Sequence, residues 1–353
     1  MNQQFRFAKR QIVALLVVLL PALLVGCSPI AEFLGLRVRL DKIAVISVSM
    51  SLADKHGAPV AGLGPGQSAR LVVVATAADG KSYPSVGAGH GKVALNNYTI
   101  SPTLVTLGKR GAVSLPADPR LSEGKIAHLH AVPVAHPEIA ADLDIAVRYD
   151  IAFSAPFAGD DGRAGLDGNN GFDGTAGMAG SAGTTDPSTG LTSPGSPGGN
   201  GTAGGDGGDG DNGEDGSPGP AVQVWARMES GTKPLLQVKV AAGARESLYL
   251  IDPEGGTLKI LADGGRGGRG GSGGRGGSGG PGGSGDPPGM NGMDGRQGFD
   301  GHPGRGGAAG TIAISIDPAA QPYLKCITWS NQSGDGAPGP APTITVAPVA
   351  ALW

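Results

Sequence analysis

Residues 264–283 read Gly-Gly-Arg-Gly-Gly-Arg-Gly-Gly-Ser-Gly-Gly-Arg-Gly-Gly-Ser-Gly-Gly-Pro-Gly-Gly, so glycine fills two of every three positions. No large apolar side chain occurs in this stretch, and nothing in it can build a hydrophobic core. A period of three suits an extended left-handed backbone, in which each residue of a triplet marks one face. Two bare faces let neighbouring backbones approach closely. Such a backbone makes no internal hydrogen bonds, so its amides must find partners on adjacent chain.

Outward from this stretch the same period runs through four blocks, at residues 159–183, 195–219, 264–285 and 289–310. Their matched lengths suggest blocks lying side by side, with the third, bare on two faces, at the centre. Gly267, Gly270, Gly273 and Gly276 are the structural glycines of that centre. Collagen also places glycine at every third position, but it carries abundant proline. Here the blocks hold only Pro197, Pro218, Pro281 and Pro303, and the short connection Asp286-Pro287-Pro288 suits an antiparallel turn between neighbours. Asp160, Asp161, Asp167 and Asp173 in the first block, and five acids in the second, are expected to face Arg266, Arg269 and Arg275 of the third. Period, block length and connections resemble the polyglycine II bundles of snow flea antifreeze protein and of phage tail-tip adhesins. That resemblance implies a monomeric four-helix polyglycine II bundle.

At the other end of the chain, Arg6, Lys9 and Arg10 precede an apolar stretch from Ile12 to Leu24, too short to span a bilayer. It ends in Leu24-Val25-Gly26-Cys27, which resembles the bacterial lipobox. The resemblance implies a signal peptide over residues 1–26, a lipid-carrying Cys27, a lipidated linker over 27–35, and membrane attachment without crossing. Ser28 stands where an Asp would favour inner-membrane retention, so the outer membrane, on either face, is the expected location.

Between these regions, residues 36–155 read as short strands separated by turn signals. Arg70–Thr76 and Lys125–Val132 are two runs, and Leu143, Ile145, Val147, Tyr149, Ile151 and Phe153 alternate as if on one face of a last strand. Gly62–Ser68 and Asp79-Gly80 loosely resemble the turns of bacterial immunoglobulin-like repeats, which implies a β-sandwich. Residues 220–263 form a strand-rich insert with candidate strands at 221–228, 235–240, 247–251 and 257–261. With 311–316 and 323–329 from the C-terminal segment 311–353, these are expected to make one small sheet capping the bundle. The fold class is therefore mainly β plus polyglycine II.

Composition narrows the function. Glycine and proline number 66 and 28, and the net charge of −3 offers no field for nucleic acid. Lipidation of Cys27 would leave Cys326 without a partner, hence no disulfide framework; a buried thiol is expected. His128 and His130 share one side of a strand, with His136 close behind, a pattern that can hold zinc. Asp206, Asp209 and Asp211 lie in a run resembling one calcium-binding nonapeptide, though a lone copy has no core to stack on. Gly270–Gly274 matches the hydrolase nucleophile pattern without the strand and helix that the elbow requires, and Asp79–Ser82 lacks the first glycine of a phosphate loop.

The leading expectation is thus a non-enzymatic, lipid-anchored envelope protein without a cofactor. It would display a rigid glycine-rich structural or adhesive module to an envelope glycan or protein. The runner-up is a metal- or small-ligand-binding lipoprotein using the histidines or the acidic, calcium-compatible blocks.

Overall fold

The computed structural model describes residues 37–229, 231 and 234–353. The signal-peptide and Cys27 expectations lie outside the described residues. The chain divides into two compact units, the first ending at Ile151 and joined by Trp353, the second running from Ala152 to Leu352.

The first unit is built from β1 (Val45–Ala53), β2 (Pro59–Val60), β3 (Gly62–Leu63), β4 (Ser68–Ala77), β5 (Ser82–Pro84), β6 (Tyr98–Thr103), β7 (Thr106–Leu107), β8 (Ala112–Ser114), β9 (Ala127–Pro133) and β10 (Ala141–Val147). One sheet has the order β2-β1-β4-β8-β7 with β5 also on β4, and the other the order β3-β10-β9-β6. Strict alternation places Leu71, Val73 and Ala75 of β4 inward and their neighbours outward, and Ala127, Leu129 and Ala131 of β9 do the same. These faces share one apolar core with Leu63 and Ile145. Each fully buried Leu or Ile there contributes about 1.5–3 kcal/mol. The alternating run from Leu143 to Phe153 is not one strand. It breaks after Val147, and Phe153 belongs to a strand of the second unit.

The second unit contributes β11 (Ala152–Pro156), a small hairpin of β12 (Thr184–Thr185) and β13 (Thr192–Ser193), then β14 (Ala221–Met228), β15 (Leu236–Ala242), β16 (Arg245–Ile251), β17 (Thr257–Leu261), β18 (Thr311–Ile316), β19 (Ile327–Ser330) and β20 (Thr343–Val346). The expected single small cap is corrected: there is a parallel three-stranded sheet, β11-β17-β19, and a five-stranded sheet, β16-β15-β14-β18-β20. The strand expected at 323–329 also starts late. Gln321–Cys326 is a short 3-10 helix with proline near its start, and only Ile327–Ser330 is extended.

The expectation of a four-helix polyglycine II bundle is likewise corrected. Among the described residues the regular structure is β, in five sheets, and helix is limited to short turns such as Pro119–Ser122. No helix occurs in the four glycine runs, and the described residues form neither a helical bundle nor a collagen-like structure. The physical reason lies in where the amides go. An extended glycine backbone closes no helical turn, and here its N–H groups bond sideways to other runs.

Each run is spliced onto a strand, and the strand register continues into it. β11 pairs with β17 in parallel at a residue separation of 105, and the contacts from Asp161 to Arg266 and from Asp173 to Ser278 keep that separation. β14 pairs with β18 in parallel, Ala221 opposite Thr311, and the separation of 90 recurs from Asn200–Met290 to Asp215–Arg305. The sheets therefore set which glycine meets which.

Candidate functional site

The third run is the most enclosed of the four, with Gly268, Gly271, Gly274 and Gly277 all buried. Gly271 and Gly274 donate to the carbonyls of Asp211 and Gly208 in the antiparallel second run, each at 2.8 Å. Their own carbonyls accept from Gly301 and Gly298 of the antiparallel fourth run, at 2.8 and 2.9 Å. The first run lies parallel on another side, Gly165 donating to the carbonyl of Arg269 at 2.8 Å. A Cβ on Gly274 would overlap the carbonyl of Asn169, and one on Gly267, Gly270, Gly273 or Gly276 would overlap a carbonyl of the fourth run.

Amides that this ladder leaves over are taken by side chains. Asp161, Asp167 and Asp173 of the first run accept from the backbone N–H of Arg266, Ser272 and Ser278, at 2.7–2.8 Å. Asp294 and Asp300 of the fourth run accept from Gly279 and Gly273, both at 2.8 Å. Asp206, Asp209 and Asp215 of the second run accept from Arg296, Phe299 and Arg305, at 2.6–2.7 Å. The acids thus meet backbone amides. Among the described residues no ion pair joins them to Arg266, Arg269 or Arg275, contrary to the expected pairing.

This use of the acids also overturns the calcium reading. Asp206 and Asp209 hold fourth-run amides, while Asp211 takes part through its backbone, donating to Leu166 and accepting from Gly271. The zinc reading fails as well. His128 of β9 lies across from Asp144 of β10, and its two ring nitrogens stand 2.8 Å from Asp144 and 3.0 Å from Asp142. His130 Nδ1 is 2.7 Å from the same Asp142 oxygen. Carboxylates only accept, so this geometry fits a charged His128, whose pKa the Asp144 contact raises; the His130 contact lowers that of Asp142. His136 is elsewhere, with Nε2 3.1 Å from the Leu40 carbonyl. Among the described residues no group of three or more His, Cys, Asp or Glu is arranged to hold a metal ion. Cys326 is buried, and that burial raises its pKa.

The first unit holds an open, mainly apolar cleft of about 650 Å³ walled by Leu95, Ile100 and Leu107. Tyr98 also lines it, its hydroxyl buried without a hydrogen-bond partner and its pKa pushed up to about 12.

Sequence reasoning missed the most distinctive surface. In the first run the residue after each glycine gives its carbonyl to the second run, and the residue after that reaches toward the third. The fourth run repeats this arrangement from the opposite side. Leu166, Phe172 and Met178 therefore form one row, and Met290, Met293 and Phe299 another, flanking the second run on a single face. These six side chains are 73–87% exposed. Between the rows the second run offers Gly199, Gly205 and Gly208 opposite Met178, Phe172 and Asn169, so a large residue in one run meets a bare backbone in the next. The signal was available: all six follow a triplet glycine. No family model matches the chain, and no curated protein matches its sequence significantly.

Proposed function

We propose that this chain is a non-enzymatic, exported binding protein that recognises another macromolecule through the face formed by the first, second and fourth glycine runs. One observation carries the reading: six large apolar residues, each about three-quarters or more exposed, stand on one face whose backbone is held by paired amides. The six recur at intervals of three or six residues with Asn169, Thr175 and Arg296 between them, a spaced set of apolar anchors on one face, and apolar exposure gathered in this way favours an interaction site. Methionine, which supplies three of the six, adapts its shape to irregular partners. The lipobox-like Leu24-Val25-Gly26-Cys27 supports placement in the envelope, with Cys27 as the tether.

A photo-crosslinking residue placed at Phe172 or Phe299 of the full chain, in cells, tests this reading. Discrete higher-mass products from these two positions, and none from Ser272 on the third run, are expected. Products absent from all three would overturn it.

A further inference from the structure

We propose that the macromolecule recognised by this face is a second copy of the same chain, paired about a two-fold axis parallel to the glycine runs. The inference rests on the reading of the face as a binding surface and adds the identity of its occupant.

The second run acts as a ruler that shows which residues of the two outer rows stand level. Ser217 and Gly216 bond to the carbonyls of Asp160 and Arg305, so these two are level. Asp211 and Gly210 bond to Leu166 and Phe299, and Gly205 and Gly204 to Phe172 and Met293. Rotation about an axis along the second run lays the first run of one copy over the fourth run of the other without shifting the level. Asp160 then meets Arg305 of the partner subunit, Leu166 meets the partner's Phe299, and Phe172 meets the partner's Met293. Every such contact occurs twice, as a two-fold interface requires.

Size and electrostatics are consistent with this arrangement. About 20 extended residues at about 3.2 Å each give roughly 60 Å of length. Three runs about 4.8 Å apart, with their side chains, give roughly 15 Å of width. The product, about 900 Å² per copy, matches the roughly 800 Å² per partner of a stable interface. Carboxylates of the second run oppose the pairing, since Asp206, Asp209, Asp211, Glu214 and Asp215 all lie near the axis. Asp206, Asp209 and Asp215 already accept fourth-run amides, and the like-charge repulsion that remains makes self-association stronger as salt rises. The level pairs bring eight large apolar side chains, four from each copy, against one another, and removing them from water favours the pairing.

The test uses full chains carrying single substitutions. Under mild oxidation, a mixture of Leu166→Cys and Phe299→Cys chains should form disulfide-linked dimers, while neither variant alone should. In sedimentation, Asp160→Arg or Arg305→Asp should weaken self-association by about tenfold or more, and the double variant should recover most of it. Unchanged thermal unfolding of these exposed-site variants would show that folding is intact. A chain that stays monomeric, links through Leu166→Cys alone, or binds phosphatidylcholine–phosphatidylglycerol vesicles through this face without self-associating would overturn the proposal. In the photo-crosslinking experiment, products containing a different macromolecule would keep the binding reading and overturn the dimer.

Discussion

The core of the first unit and the third glycine run of the second are both enclosed, by opposite means. Around Leu71 and Leu129 the chain excludes water by filling space with side chains; around Gly271 and Gly274 it does so by having none. The first solution is stabilised by apolar area, and it fails when a side chain shrinks and leaves a cavity. The second is stabilised by a ladder of amides, and it fails when a side chain grows and parts two backbones. The two regions should therefore respond to mutation with opposite size dependence.

The largest effect is expected at Gly274. In Gly274→Val the new side chain overlaps the first-run carbonyl of Asn169, and the runs must separate. The buried amide of Gly274 then loses its acceptor, at about 1–3 kcal/mol, and those of Gly208 and Gly298, nearer solvent, lose theirs at smaller cost. The matched change Ala164→Val, at an exposed position of the first run, should leave the midpoint of thermal unfolding nearly unchanged. In the first unit the reverse change is damaging: Leu71→Ala should cost about 2–5 kcal/mol in chemical denaturation, read from a probe in that unit.

A smaller effect isolates the side-chain part of the ladder. Asp209→Ala removes the acceptor of the Phe299 amide, and because this edge is exposed, water can take its place. A loss of about 1 kcal/mol is expected, with faster hydrogen exchange at Phe299 and little change at Gly274.

The smallest effect concerns pH. The raised pKa of His128 gives stability that is complete below the ordinary histidine value of 6.5 and is lost as pH rises through the raised value. The lowered pKa of Asp142 gives stability present above the ordinary 3.8 and lost as pH falls through the lowered value. Both contributions operate together between these two pH values. The unfolding midpoint of Asp144→Asn should fall below that of the unsubstituted chain in this window, and the difference should fade as pH rises above the raised His128 value.

These contrasts also show which parts of the structure were legible beforehand. The glycine period and the strands at 221–228, 257–261 and 311–316 were readable because both are local patterns, of three and of two. The splice between each strand and its run was not, since the partners lie 105 or 90 residues apart and nothing local records that register. The recurring Asp161, Asp167 and Asp173 are visible in the sequence, where they suggest partners for arginine. A sequence displays side-chain charges and hides the backbone amides that these acids actually meet. The histidine site was half legible: Asp142 and Asp144 repeat the two-residue spacing of His128 and His130, and antiparallel pairing of those strands supplies the partners without a metal. The exposed apolar rows were overlooked because large apolar residues are ordinarily read as core.

Hydrogen exchange along the third run tests the account most directly, since buried positions that are all glycine can be protected only if their amides are paired. In the full chain, the amides of Gly268, Gly271, Gly274 and Gly277 should exchange at least about a hundredfold more slowly than an unstructured glycine peptide. In Gly274→Val that protection should collapse in the second and fourth runs as well, while β4 and β9 stay protected. Exchange of these four amides at the unstructured rate in the unsubstituted chain would contradict the account.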